Sequence, residues 1–134
     1  MKAATRVLDS YSLIAFLENE PGAAQMRQVL RSARNSGLAL LLCTVNWGEV
    51  FYITLREEGR EQAERAVKFI STLPIQIVPA DAELARQAAE FKARGKISYA
   101  DCFAAALAKT KKAELVTGDK EFKQVEEDVK ILWI

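Results

Sequence analysis

Short apolar segments alternate with amphipathic segments along the whole chain, and this alternation limits the fold more than any other feature. We predict five short strands, in the segments 3–8, 38–44, 74–79, 114–117 and 130–134. The segments between them carry apolar residues at helical spacing and end at glycine, proline or asparagine. Strands that alternate with helices are typical of a parallel sheet covered on both faces. The sequence therefore predicts an α/β fold, a three-layer α/β/α sandwich with a five-stranded sheet.

Length and charge set broad limits on the function. The chain has 134 residues, and we expect residues 1–134 to form a single domain. Its 19 basic and 18 acidic residues leave a net charge of +1, so any contact with nucleic acid must be local. Because the apolar runs are too short to cross a bilayer and no signal-peptide pattern is present, we expect a cytoplasmic protein.

The absence of histidine excludes several kinds of site. A Ser-His-Asp or Cys-His catalytic arrangement and an imidazole-bound zinc ion all need a residue that this chain lacks. The two cysteines, Cys43 and Cys102, form no CxxC pair, and we expect them to be free thiols in a reducing compartment.

The segment from Ile97 to Lys120 carries two carboxylates at opposite ends of a helix-then-strand unit. Ser98 is suited to cap a helix, with Asp101 three residues later. A strand follows and stops just before Asp119. Because strand ends and helix starts share the carboxyl edge of a parallel sheet, we expect Asp101 and Asp119 to come close together.

Two more acids lie near places where a strand passes into a helix. Asp9 directly follows the first strand, and Glu49 lies early in a helix predicted over residues 44–58. Each acid has a plainer interpretation: Asp9, Asp101 and Asp119 could cap helices, and Glu49 could lie on a solvated face. Taken together, however, all four are expected at one edge of the sheet.

Four carboxylates at one edge would repel one another. At about 4 Å and an effective dielectric constant near 20, each like-charged pair costs roughly 4 kcal/mol. Such a cluster persists only when protons or a divalent cation neutralise it. A set of oxygen ligands without nearby histidine or cysteine favours a hard ion, Mg²⁺ or Mn²⁺.

Four segments of the sequence, in this order and spacing, are similar to those of a known family. They are VLDSYSLIAFL around Asp9, NWGEV around Glu49, SYADCFAAALA around Asp101, and LVTGD around Asp119. With them the chain resembles PIN-domain ribonucleases, most of all the VapC-type toxins of prokaryotic toxin–antitoxin pairs. The resemblance covers nearly the whole chain and implies a PIN-like sandwich with a parallel sheet.

The resemblance also implies an activity, the metal-dependent hydrolysis of RNA phosphodiester bonds. Asp9 and Asp101 would be direct ligands of Mg²⁺ or Mn²⁺. Glu49 would be a ligand or would orient the attacking water, and Asp119 would complete the site or hold a second ion. The hydroxyls of Ser10 and Thr117 would support these acids.

Contacts to RNA and to partner proteins are further expectations. Lys96 and Lys120 would flank the acidic edge, with Arg94 a weaker candidate, although each could equally be a solubilising charge. The resemblance implies a homodimer and a cognate antitoxin whose tail occupies the acidic groove. The helices predicted over 46–72 carry more apolar residues than one core face can use, which suits such an interface; these residues are Trp47, Phe51, Tyr52, Ile53, Phe69 and Ile70.

Two other functions fit parts of the pattern. A catalytically inactive PIN-like scaffold would bind RNA without cleaving it. A phospho-receiver domain is also a small doubly wound sheet with acids at its edge, but it needs an acidic pair after strand one and an aspartate after the central strand. Strand one here ends in Asp9-Ser10, and the run from Leu38 to Val45 ends without an aspartate.

Overall fold

A computed structural model describes residues 4–134 and contains the predicted five strands. The start of the first predicted strand, Ala3, lies outside the described residues. The elements in chain order are β1 (Arg6–Leu8), α1 (Ser10–Leu17), α2 (Ala23–Ser36), β2 (Leu40–Cys43), α3 (Thr44–Glu58), α4 (Arg60–Ile70), β3 (Ile75–Val78), α5 (Ala82–Arg94), α6 (Tyr99–Lys111), β4 (Glu114–Thr117), a 3₁₀ helix (Lys120–Val125) and β5 (Ile131–Trp133).

All neighbouring strands of the sheet are parallel, in the order β3-β2-β1-β4-β5. The central strand β1 pairs Val7 with Leu41 of β2 and with Leu115 of β4. A phospho-receiver has the order 2-1-3-4-5. The observed order therefore excludes the receiver alternative, and the predicted five-stranded parallel sheet is confirmed.

Successive residues of a strand point to opposite faces of the sheet, and this divides the core into two. Val7 belongs to the core beneath α5 and α6, whereas the next residue, Leu8, belongs to the core beneath α1 and α2. Both side chains are fully buried, and each burial contributes about 1.5–3 kcal/mol. The sheet thus has a helical layer on each face, as predicted.

Helix α6 is buried along most of its length because its side chains are small. Residues Cys102 to Ala108 are all buried, and five of these seven are alanine or cysteine. Its first turn is fixed by Ser98, whose hydroxyl accepts a hydrogen bond from the backbone N–H of Asp101 at 3.2 Å. The predicted cap at Ser98 is confirmed, and it holds Asp101 at the edge of the sheet.

Helix α3 has the predicted bounds, but its buried face is only partly the predicted one. The spacing of Trp47, Val50, Phe51, Thr54 and Leu55 predicts a single apolar face. Val50 and Thr54 are buried, together with Asn46, whereas Trp47, Phe51 and Leu55 are only half-buried. Because α3 packs against α1, α4 and α6 as well as the sheet, its contacts extend over several faces. Amphipathic spacing alone assumes one contact face.

Two smaller expectations can be compared with residues 4–134. Cys43 and Cys102 are free thiols, as predicted, and both are buried. Within the described part of the chain, each helix is too short or too polar to cross a membrane.

Candidate functional site

Acidic side chains gather around one cavity at the carboxyl edge of the sheet. The cavity has a volume of about 510 Å³, and Glu49, Asp101 and Asp119 form part of its wall. These acids come from α3, from the first turn of α6 and from the loop after β4. The complete lining is Ser10, Tyr11, Ile14, Glu20, Glu49, Ile53, Lys96, Ser98, Asp101, Asp119 and Glu121. The structure therefore brings three of the four predicted acids to one cavity.

The fourth acid, Asp9, is fully buried at the end of β1. Its Oδ1 accepts a hydrogen bond from the N–H of Ser12 at 2.8 Å, which caps α1, and its Oδ2 accepts one from Thr117 Oγ1 at 2.5 Å. Burial, with a smaller contribution from the negative charge of Asp119, raises the pKa of Asp9 to about 6 against the opposing effect of these hydrogen bonds. Asp9 therefore both caps a helix and takes part in the acidic site.

Asp101 is held mainly by its helix and is only 8% exposed. Burial raises the pKa of Asp101 to about 7, with further contributions from the charges of Asp9, Asp119 and Glu49; its hydrogen bond with Ser98 opposes this change. The negative charges of acids far apart in the sequence thus act on one carboxyl group. This is the arrangement in which a bound cation, or a proton, lowers the energy.

The hydroxyl of Thr117 joins two of the acids. It donates to Asp9 Oδ2 and accepts from the backbone N–H of Asp119 at 3.0 Å. Asp119 also caps the 3₁₀ helix, because its Oδ1 accepts from the N–H of Glu121 at 3.0 Å. Asp119, like Asp9, therefore both caps a helix and takes part in the acidic site.

Glu49 is oriented by two neighbours. Its Oε1 accepts hydrogen bonds from Ser10 Oγ at 2.9 Å and from Asn46 Nδ2 at 3.2 Å. The Asn46 amide also donates to the carbonyl of Ala100 at 3.1 Å, so it links α3 to the start of α6. We did not predict Asn46 from the sequence. The available signal was an amide on the inner face of α3, one turn before Glu49.

We expect Asn46→Ala to destabilise the protein by about 1–3 kcal/mol, because it removes the buried amide that donates to the partly buried carbonyl of Ala100 and joins α3 to α6. The Glu49 side chain should also become more mobile in this variant, because it loses the hydrogen bond from Asn46, and any activity of the site should fall. Asn35→Ala, on an exposed part of α2, is the matched control and should change stability by less than about 0.5 kcal/mol. Urea unfolding measures both, and equal stability of the two variants would contradict the role of Asn46.

The predicted cationic residues differ in position. Lys96 lines the acidic cavity, whereas Lys120 is exposed and is absent from the lining. Arg94 pairs with Asp128 at 3.1 Å and lies over the ring of Phe91, on a separate groove. Two acids that we did not predict, Glu20 and Glu121, also line the cavity.

The donor atoms of this site suit a hard divalent cation, since they are carboxylate and hydroxyl oxygens. Across residues 4–134, however, the observed side-chain positions bring no group of three or more acidic or thiol side chains into an arrangement that could hold a metal ion. Carboxylates without a cation between them lower their energy by keeping apart. The chemistry of the donors and the raised pKa values fit a metal, while the side chains do not form a finished coordination shell.

Comparisons with solved structures identify the fold. The chain is similar to a chain of VapBC2 from Rickettsia felis bound to a DNA fragment from their promoter, with a TM-score of 0.78, 15% identity, and coverage of 96% of this chain and 97% of that one. It is also similar to Mycobacterium tuberculosis VapC20, a Sarcin-Ricin loop cleaving toxin, with a TM-score of 0.74, 16% identity, and coverage of 89% and 93%. A chain of DNA-bound VapBC from Salmonella typhimurium has a TM-score of 0.73, 18% identity, and coverage of 97% and 98%.

Sequence comparison identifies the family. None of the curated proteins matches the chain. The family model described as the PIN domain, however, matches residues 6–128, which is most of the chain. The resemblance that we drew from four short segments is therefore confirmed, and the chain belongs to the PIN domain family.

Proposed function

We propose that this protein is a metal-dependent endoribonuclease that hydrolyses RNA phosphodiester bonds and acts as the toxin of a toxin–antitoxin pair. One observation carries the proposal: Asp9 and Asp101 are buried acids whose pKa values are raised, and they share one site with Glu49 and Asp119. Acids with perturbed pKa values in a cavity are typical of functional sites.

Asp9 and Asp101 are the residues that would hold Mg²⁺ or Mn²⁺, with Asp119 and Glu49 completing the set. A bound divalent cation supplies positive charge to the phosphate and lowers the pKa of water. Burial and mutual repulsion disfavour the charged forms of Asp9 and Asp101, so both carboxyl groups would lose their remaining protons as the cation binds. Metal binding should therefore release protons near pH 6–7.

The other residues of the site orient the acids or contact the substrate. Ser10 and Asn46 both donate to Oε1 of Glu49, which leaves Oε2 to bind the cation or to orient the attacking water. Thr117 holds Asp9 and the backbone of Asp119 in a fixed relation. Lys96 lines the cavity and would contact a phosphate of the RNA. Lys120 and Arg94 do not line the cavity and are weaker candidates for such contacts.

An antitoxin and a second copy of the chain are the proposed partners. Two of the three solved structures described above are named as VapBC complexes. Tyr52 and Phe69 on α3 and α4 remain exposed, and Phe69 stacks on Phe16. Ile70, which we had included in this surface, is buried in the core, so the apolar surface is smaller than predicted. The free thiols of Cys43 and Cys102 suit a reducing compartment such as the cytoplasm.

Incubation with RNA tests the activity. We expect the wild-type protein to cleave RNA in the presence of Mg²⁺ or Mn²⁺. Cleavage should stop when EDTA removes the ion. Cleavage that continues in EDTA would refute the metal mechanism. RNA binding without cleavage in Mg²⁺ would instead favour the alternative, a catalytically inactive PIN-like scaffold.

A further inference from the structure

The acidic cavity contains an apolar wall that its carboxylates do not explain. Tyr11 and Ile14 lie on α1, three residues apart and so on one face of the helix, and Ile53 joins them from α3. The rest of the lining is polar or charged. A cavity that combines a few charged groups with an apolar wall is typical of a site for a ligand that has both characters.

Tyr11 is the unusual member of this wall. It lies in the first turn of α1, two residues after the buried Asp9, and its side chain is 42% exposed. A tyrosine that packed only as part of the core would be covered to a much greater extent. Its ring is therefore available to a ligand beside the acids that we assign to metal binding.

Gly118 fixes the position of that ring. A Cβ atom at residue 118 would lie 3.0 Å from Tyr11 Cζ and closer still to Cε1, and 3.1 Å from the backbone oxygen of Ile134. The ring of Tyr11 thus rests on the backbone between Thr117 and Asp119, in space that only glycine leaves open. This contact ties the aromatic ring to the loop that carries one of the acids.

From this geometry we infer that Tyr11 is a stacking surface for a nucleobase of the substrate and that Gly118 positions it. The inference rests on the proposed ribonuclease function and names the part of the RNA that the apolar wall contacts. Every base offers a flat π face, and an aromatic side chain binds it with little dependence on sequence. A base bound there must be unstacked from its neighbours, which the phosphate contacts of the site alone would not require.

Kinetics of single variants provide the first test. Stacking of one base on an aromatic ring contributes a roughly ten- to hundredfold effect. We expect Tyr11→Ala to lower kcat/KM for RNA cleavage in Mg²⁺ by about that factor, mainly through KM, and Tyr11→Phe to stay within about twofold of wild type. Leu38→Ala is the control, since Leu38 is similarly exposed, at 38%, but precedes β2 at the opposite end of the sheet. It should leave cleavage unchanged.

A double-mutant cycle tests the role of Gly118. Gly118→Ala should displace the ring and lower kcat/KM in the wild-type background, but should add little when Tyr11 is already alanine. An effect of equal size in both backgrounds would mean that Gly118 acts on Asp119 alone. An RNA with an abasic ribose at the contacted position should be cleaved equally by the wild type and Tyr11→Ala.

Photocrosslinking separates this inference from the proposed function. A short unstructured RNA that carries 5-iodouridine is irradiated with the wild-type protein in Ca²⁺, and the crosslinked peptide is mapped. We expect the crosslink at Tyr11, and this outcome would support the stacking contact even if no cleavage occurred. Crosslinking elsewhere, or none, together with normal cleavage by Tyr11→Ala, would overturn the inference and leave the nuclease proposal intact.

Discussion

Asp9→Asn is expected to reduce RNA cleavage in Mg²⁺ by at least about a hundredfold, which corresponds to several kcal/mol of lost transition-state stabilisation. The change removes the charge that would bind the cation but keeps the shape of the side chain. An asparagine can still accept the hydrogen bond from Ser12 and cap α1. Folding should therefore survive while activity is lost, and measurements of kcat/KM and of thermal unfolding follow the two effects.

Asp81→Asn is the matched control for this loss. Asp81 caps α5 as Asp9 caps α1, accepting from the N–H of Leu84 at 2.9 Å, but it lines a separate cavity beside Val78, whereas the hydrogen bond from Thr117 and the effect of its charge on Asp101 tie Asp9 to the acidic site. The same chemical change at this cap should leave cleavage intact. If Asp9→Asn retained more than about half of the wild-type activity, Asp9 would have only its capping role.

Asp101→Asn is expected to stabilise the metal-free protein by an amount on the order of 2 kcal/mol at pH 8, or several degrees in Tm. In the folded state the pKa of Asp101 is raised to about 7 from an ordinary value of 3.8. Between these values the folded protein keeps a proton that the unfolded chain loses, so stability falls as the pH rises. The loss is complete above about pH 7. An asparagine has no charge to bury, although it forgoes a small favourable interaction with the start of α6.

Thermal unfolding in EDTA at several pH values measures this effect. The difference between the variant and the wild type should be largest at pH 8 and should vanish below about pH 3, where the carboxyl group is protonated in both states. Added Mg²⁺ should then raise the Tm of the wild type more than that of Asp101→Asn. A wild-type protein that is more stable than the variant at pH 8 without metal would contradict the raised pKa of Asp101.

Much of the secondary structure could be predicted because local signals mark its boundaries. The bounds predicted for α3 and β4 agree with the structure. Helix α6 begins directly after Ser98, whose hydroxyl satisfies a free N–H of the first turn. The other strands were predicted with less accuracy: β2, for example, is shorter at both ends than the run from Leu38 to Thr44, because strand bounds depend on pairing with neighbours.

The candidate site also contains residues that the sequence predicts and residues that it does not. Asp9, Glu49, Asp101 and Asp119 could be predicted from their places next to strand ends, since a parallel sheet collects those places at one edge. Asn46 could not, because one of its two hydrogen bonds joins α3 to a carbonyl 54 positions away in the sequence. The ion pair of Arg94 with Asp128, which holds it at a separate groove, likewise could not be predicted from the sequence.

By itself, the sequence determined the class of fold and the family and proposed the four acids as candidates for the site, because apolar periodicity, capping residues and short motifs are properties of neighbouring positions. Only the tertiary structure decided that Tyr11 rests on Gly118, that Thr117 bridges two acids, and that Asp9 is fully buried. The physical reason is that burial, pKa and side-chain contact depend on which distant segments pack together, and that packing is a property of the whole chain.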